Sequence, residues 1–355
     1  GNYLPVLSPA FFDAERMTPW GNGIAYETEP VRQYITEAPL FWLTEYHLDG
    51  LRFDAIDQIE DASDKHILQE IAERIREAIP GRQIHLTTED SRNVIFLHPR
   101  DAHGATPLFT AEWNDDFHNA AHVFATGETH AYYQDFAFEP EKKLARALTE
   151  GFVYQGEVSL QTGKSRGVEC HTQPPQFFVD FIQNHDQTGN RAQGERLIAL
   201  AGADKTRVLL AALLLSPHIP LLFMGEEFGE TNPFLFFTDF HGELAKAVRE
   251  GRAKEFTGHA GHDASVPDPN DVKTFIRSKI DWNKVATDDG KTWLRFTRTL
   301  LTLRHRHIVP LLRKGVTVEG KVIRTAPGMI AVSWRFPTGT LSLAFNTGNK
   351  AVDVP

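Results

Sequence analysis

Apolar and polar positions follow two rhythms along this chain. Across residues 65–79, Ile67, Leu68, Ile71, Ile75 and Ile79 recur at helical spacing on one face, and Pro80-Gly81 stops the run. Residues 31–47 share that rhythm, with an interruption expected at Pro39. The run VLLAALLLSP (208–217) is apolar on most sides and reads as a buried helix, too short to cross a bilayer. Helical spacing returns at 140–148 and at 292–307. Between these lie short strand-like runs: LDGLRFDAI, QIHLTTE, PLFTAEW, QFFVDFIQN and IPLLFMGEE. Strand alternating with helix predicts an α/β fold with a parallel sheet. After Pro310 the helices cease, and GVTVEGKVIRT, MIAVSWRF and TLSLAFNT read as the start of an antiparallel β domain. The expected division is 1–309 and 310–355. Residues 230–281, rich in Gly, Pro, Asp and His, read as long loops.

Composition narrows the function classes. With 355 residues, 41% hydrophobic, the chain can bury a large core. The charge balance of 37 − 47 = −10, without a basic stripe, argues against nucleic acid and suits a neutral or polar small substrate. The single cysteine, Cys170, excludes an internal disulfide and fits a reducing, cytoplasmic setting. Neither a signal peptide nor a membrane span is visible. The chain opens at Gly1 without an initiator methionine, so a fragment or processed product is expected.

The candidate chemistry lies where strands end. In LRFDA, parity puts Leu51 and Phe53 on one face and Arg52 and Asp54 on the other. If the apolar pair meets the helices, the charged pair points inward near the carboxyl end, where α/β folds keep their chemistry. QIHLTTED ends likewise at Glu89, and FFVDFIQNHD at Asp186 beside His185. A single such acid is ordinarily a helix cap or turn residue, a reading that suits Asp57 and Asp61. Three acids ending three strands, one with an inward Arg two residues earlier, favour a carboxylate-based hydrolase, with a divalent-metal site as the alternative. Paired carboxylates suit glycoside hydrolysis, in which one attacks ionised and the other donates a proton. Arg52 would hold Asp54 ionised. Glu89, with no adjacent cation in sequence, would be pushed toward its protonated form.

At these residues the chain resembles the α-amylase family of (β/α)8-barrel glycosidases. DGLRFDAID is similar to the fourth-strand motif with the nucleophile, Glu89 stands at the fifth-strand acid/base position, and FIQNHD resembles the seventh-strand motif. The resemblance implies a (β/α)8 TIM barrel of which this chain carries about strands 4 to 8, followed by the start of a C-terminal antiparallel β domain. It implies that the N-terminal portion, with the first three strands, lies elsewhere, GNYLP marking the segment just past the third. It assigns catalysis to Asp54, Glu89 and Asp186, with Arg52, His185 and Asn184 binding the sugar. Longer segments, among them EWNDDFHNAAHVFATGE, FIQNHDQTGNRAQGERL and VREGRAKEF, are similar to the branch that cleaves the α-1,4 bond between a maltooligosaccharide and a terminal trehalose. That branch acts on maltooligosyl trehalose with retention and needs no cofactor or metal. An α-1,4-glucan branching enzyme is the alternative within the family. An inactive, structural or glucan-binding piece is the alternative outside it.

Further residues carry weaker expectations. Trp113, Asp115, Asp116 and His118 in EWNDDFHNA would line the trehalose subsites, Trp113 stacking on a sugar; the competing reading is a helix start capped by Asp115 or Asp116. Glu226 would bind or support substrate, or serve the fold. Arg191 would bind a hydroxyl, brace Asp186 or form a loop salt bridge. FLFFTDF would be a sugar platform or a loop anchor. Cys170-His171 lacks a third partner for nucleophilic chemistry, and the RHRH run suits a helix C-terminus better than a metal.

Overall fold

A computed structural model of the chain describes residues 4–101, 104–256, 266–312 and 318–353. Residues 1–3 of the GNYLP segment, 257–265 of the expected loops, and 313–317 and 354–355 of the expected β domain lie outside these. An antiparallel hairpin, β1 (Phe12–Thr18) and β2 (Gly21–Ile24), precedes helix α1 (Glu29–Thr44). The hairpin has no strong alternation and its sequence does not predict it. Helix α1 runs unbroken through Pro39, against the expected interruption.

Five short strands then form one parallel sheet: β3 (Gly50–Phe53), β4 (His85–Thr88), β5 (Ala111–Trp113), β6 (Phe178–Asp180) and β7 (Ile219–Pro220). Each strand lies beside its sequence neighbour, with Gly50 opposite His85, Thr87 opposite Ala111, Trp113 opposite Val179 and Asp180 opposite Pro220. Helices fill three of the four connections: α2 (Ile67–Ala78) between β3 and β4, α3 (Asp115–Thr126) and α4 (Pro140–Glu150) between β5 and β6, and α5 (His185–Gly189) and α6 (Ala203–Leu215) between β6 and β7; the described residues of the β4–β5 connection form turns and coil. Parallel strands in sequential order with helical crossovers are the wall of a (β/α) barrel.

Parity holds as expected in β3. Leu51 and Phe53 join the core built by Ile67, Leu68, Ile71 and Ile75 of α2 with Ile84 and Leu86. Each fully buried side chain there contributes about 1.5–3 kcal/mol. Arg52 is left on the other face, toward the chemistry.

The described residues within 230–281 differ in part from their reading as loops. They hold α7 (Gly242–Glu255) and α8 (Val272–Ser278), the latter capped by the Asp271 carboxylate accepting from the Lys273 amide. Helix α9 (Asp288–Leu303) ends in a π-turn, Arg304–Ile308. Arg304 is not a solvated dipole cation there. It is buried and donates to the carbonyls of Leu214, Ser216 and His218.

The last three strands, β8 (Glu319–Ala326), β9 (Met329–Phe336) and β10 (Gly339–Asn346), form an antiparallel sheet in the order β10-β9-β8. Its inner face, Ile330, Val332, Trp334 and Phe336, joins the same core as Leu144, Leu148, Leu209 and Trp293. The Trp334 indole N–H donates to the Leu148 carbonyl at 3.0 Å. Among the described residues no helix is long and apolar enough to cross a membrane.

Candidate active site

Strand β3 ends at Phe53, and Asp54 stands at its carboxyl end. The following Ala55 takes a left-handed backbone conformation (φ 44°), which costs a non-glycine residue roughly 1–2 kcal/mol. That turn is held from the next strand: the Ala55 amide donates to Glu89 Oε2 at 2.9 Å, the Glu89 amide to the Phe53 carbonyl at 3.0 Å, and the Ile56 amide to the Glu89 carbonyl at 3.0 Å. The two strand ends therefore present their carboxylates as one unit.

Arg52 lies between them. Its Nη1 donates to Asp54 Oδ1 at 2.6 Å, and its Nη2 sits 2.7 Å from Glu89 Oε2 as an ion-pair contact. Sequence order hides this second contact: no cation adjoins Glu89 along the chain, but Arg52 reaches it once β3 and β4 pair. The two acids differ sharply in setting: the Asp54 side chain is 68% exposed, the Glu89 side chain 19%. Burial pushes the Glu89 carboxyl above the ordinary range. The Ala55 amide and Arg52 oppose this, and the charges of Asp54 and Asp186 reinforce it.

Asp186 lies in the first turn of α5 rather than in a strand, with His185 Nε2 3.4 Å from its Oδ2. Its charge reaches Glu89 from this position. Asn184, expected to bind sugar, is buried, and its side-chain oxygen accepts from the Gln187 amide at 2.7 Å as the cap of α5. Trp113 is brought to the site, but one ring face is covered by the Arg52 guanidinium, 4.1 Å from the centroid. Its neighbours are Phe181 and His185.

The acids after β5 separate. Asp115 approaches the site, its Oδ1 3.5 Å from Gln187 Nε2. Burial, then the charge of Glu89, pushes its carboxyl up to about 7. Asp116 faces away and is fully buried. It accepts from Asn93 Nδ2 and from the Val153 and Tyr154 amides, with Arg166 Nη2 2.8 Å away. Neither acid caps α3; Asn114 does, accepting from the Phe117 amide at 3.2 Å. His118 is also corrected from substrate to core. Its Nδ1–H donates to the Ile182 carbonyl, its Nε2 faces the Tyr133 hydroxyl, and burial holds it neutral. Arg191 forms the loop salt bridge, with Glu128 at 2.8 and 2.9 Å and Glu195 at 3.2 Å. Glu226 is buried, accepts from Gln183 Nε2 and the Phe223 amide, and is pushed up to about 7 by burial.

Asp180, whose inward place in a strand is unexplained by alternation alone, accepts from Asn114 Nδ2 at 2.9 Å and pairs with His218 Nδ1 at 2.7 Å. Cys170 is buried, donates to the Glu150 carbonyl and is pushed up to about 12, the opposite of an activated thiol. FLFFTDF serves mainly as an anchor: Phe234 packs on Phe223 and Phe237, and Phe237 on Phe275. Among the described residues, no group of three or more His, Cys, Asp or Glu is arranged to hold a metal ion.

One element of the site went unread in the sequence. A cavity of about 470 Å³ beside Asp54 is lined by Met17, Trp20, Asn22, Tyr26 and Gln58, with Trp20 73% exposed on the β1–β2 hairpin. TPWGNG belongs to a segment that shares the family resemblance but points to no place in the site; its approach to Asp54 arises from tertiary packing.

The carboxylates of Asp54 and Glu89 thus stand at adjacent strand ends of a parallel barrel wall, bridged by one arginine. Residues 21–298 match the Alpha amylase, catalytic domain family, and the chain belongs to it. It is 39% identical to a malto-oligosyltrehalose trehalohydrolase of Rhizobium sp. (strain M-11), over 86% of this chain and 52% of that protein. It is 36% identical to the protein of the same name from Saccharolobus solfataricus, over 92% of this chain and 56% of that one. The chain thus spans about half the length of the curated relatives it matches. A 1.4 Å crystal structure from Salmonella typhimurium, provisionally described as an alpha amylase, is 70% identical with a TM-score of 0.96, covering 100% of this chain and 61% of that one. A Paenibacillus barengoltzii pullulanase complexed with maltotetraose, 20% identical with a TM-score of 0.61, shares the fold over 100% of this chain and 51% of its own.

Proposed function

We propose that this chain carries the catalytic acids of a retaining glycoside hydrolase that cleaves the α-1,4 bond beside the terminal trehalose of maltooligosyl trehalose. The observation that carries this reading is Arg52, whose one guanidinium touches both Asp54 and Glu89. Such a bridge suits the short carboxyl separation of a double displacement, about 5 Å, rather than the ~6.5–9.5 Å that lodges a water. The exposed Asp54 carboxylate attacks the anomeric carbon. Glu89, kept toward its protonated form by burial, gives its proton to the departing glycosidic oxygen, and trehalose leaves. Glu89 then takes a proton from water, which attacks the glycosyl ester and frees Asp54. Asp186 and His185 grip the sugar as its ring flattens. The names of the relatives support trehalose as the leaving unit.

The reading includes two features of the whole protein. Both edges of the five-stranded sheet, β3 and β7, lack a neighbouring strand among the described residues. Inward-facing His85, Thr87, Trp113 and Val179 line an open space of about 920 Å³. An N-terminal portion with the remaining strands would close the barrel, leaving 1–309 as its C-terminal part and 310–355 as the following β domain. The lone cysteine supports a cytoplasmic setting.

One assay tests the activity. The full-length protein should release free trehalose from maltopentaosyl-trehalose, and residues 1–355 alone should not. New α-1,6 linkages from amylose would instead indicate branching. Asp54→Asn should lower kcat by roughly 10³-fold or more without unfolding the protein, and retained turnover would exclude Asp54 as nucleophile.

A further inference from the structure

We propose that Arg252 is a positioning residue for Asp186, acting through the backbone of the turn that follows α5; the inference rests on the catalytic role proposed above for Asp186. Arg252 belongs to the VREGRAKEF run on α7, within the region expected to be loop. It is only 7% exposed. Its Nη2 donates to the carbonyls of Gly189 and Arg191, both at 3.0 Å. Its Nη1 donates to Glu255 at 2.7 Å, and the guanidinium lies over the rings of Phe236 and Phe256, 5.1 and 4.7 Å from their centroids.

These two carbonyls bracket Asn190, whose amide donates to the carbonyl of Asp186 at 2.8 Å. Helix α5 has five residues, too few to hold its own shape by internal hydrogen bonds. Its first amides are served by Asn184, and the carbonyls at and beyond its end are served by Arg252. The segment leading into α7 touches the chain just beyond this turn through Phe234, whose amide donates to the Gly194 carbonyl at 2.8 Å. The Asp186 side chain is half-exposed, and its ion pair with His185 joins two residues of one turn, so that pair sets no position relative to β3 and β4. The position is set by the backbone, and Arg252 fastens that backbone to α7. A planar fork serves two carbonyls at once; a thioether serves neither.

The test is a double-mutant cycle in the full-length protein, with an aryl or fluoride maltooligosaccharide so that slow variants remain readable. Arg252→Met should lower kcat about ten- to a hundredfold, with KM changed less than about twofold, because a misplaced group costs turnover before it costs binding. In the Asp186→Asn background the same change should cost nothing further. Arg252→Lys should lose less than Arg252→Met, and it carries the same comparison if the methionine variant fails to fold. An equal loss in both backgrounds would overturn the inference, since that is how a merely structural residue behaves. So would unchanged kcat in both Arg252 variants while Asp186→Asn is impaired. Full activity in Asp186→Asn itself would instead remove the reading on which the inference rests.

Discussion

Arg52 faces two carboxylates whose tasks are opposite, and its effect on each can be separated. Its charge holds Glu89 down against the burial and like charges that push it up. Replacing Arg52 by Met removes the restraint, so Glu89 should keep its proton to higher pH. The activity limb that falls with rising pH reports loss of that proton. It should therefore move to higher pH in kcat/KM profiles of Arg52→Met, even as the overall rate drops. A limb that stays in place or moves to lower pH would show that Glu89 is not the acid. At this scale the sequence was informative about side-chain type and parity: Arg52, Asp54 and Glu89 were legible. That Arg52 also reaches Glu89 was not, because the two lie 37 residues apart in LRFDA and TTED and meet only when β3 and β4 pair.

Helix α3 shows how one residue joins several elements. Asn114 Oδ1 caps the helix, while its Nδ2 donates to the buried Asp180 and to the Gly151 carbonyl. Asn114→Ala loses the cap, about 1 kcal/mol, and leaves a buried carboxylate one donor short, about 1–3 kcal/mol more. Chemical denaturation should show a loss of about 3 kcal/mol. Asn114→Asp keeps the cap yet sets a second carboxylate against Asp180, and should be at least as destabilising at neutral pH. If it matched the wild type, the buried contact would carry no weight. Asp115 or Asp116 as the cap is the reading that competes with a subsite role in the sequence, because both are good cap residues. The chain enters α3 one residue earlier, which sends Asp116 inward to Asn93 and Arg166 and leaves Asp115 near Glu89. Periodicity marks a helix well and its first residue poorly.

Across the whole molecule, opposing sets of acids should shape stability with pH. Asp115 and Glu226 are each pushed up to about 7, so the unfolded chain releases these protons first, and stability falls as pH rises from about 4 toward 7. Glu27, held down to about 2 by Arg16, and Glu128, held low by His122 and Arg191, act in reverse: they contribute above about pH 4.5, and that contribution is lost as pH falls. The thermal midpoint should therefore be highest on the acidic side of neutrality, and melts across pH 3 to 8 would show it. A midpoint still climbing from pH 5 to pH 8 would contradict this balance. At the same scale, the β8–β10 sheet shares a core with α4 and α6. Its strand-turn-strand texture was visible in sequence; its docking was not, because Ile330, Val332 and Trp334 are apolar on an inner face whichever surface that face meets.

The sequence by itself determined the α/β class and the parallel sheet, and it pointed to Asp54, Glu89 and Asp186 as candidate chemistry, since each depends on local period, parity and side-chain type. Only the tertiary structure decided which charged groups work together. It turned Asp116 and His118 into the core, gave Asn184 to a cap, brought the Trp20 hairpin beside Asp54, and carried Arg252 from a presumed loop to the turn behind Asp186. The physical reason is range. A side chain's direction follows from its neighbours in sequence, but the partner that satisfies its charge comes from segments tens of residues away, placed by the packing of α2, α3 and α7 on and around the sheet.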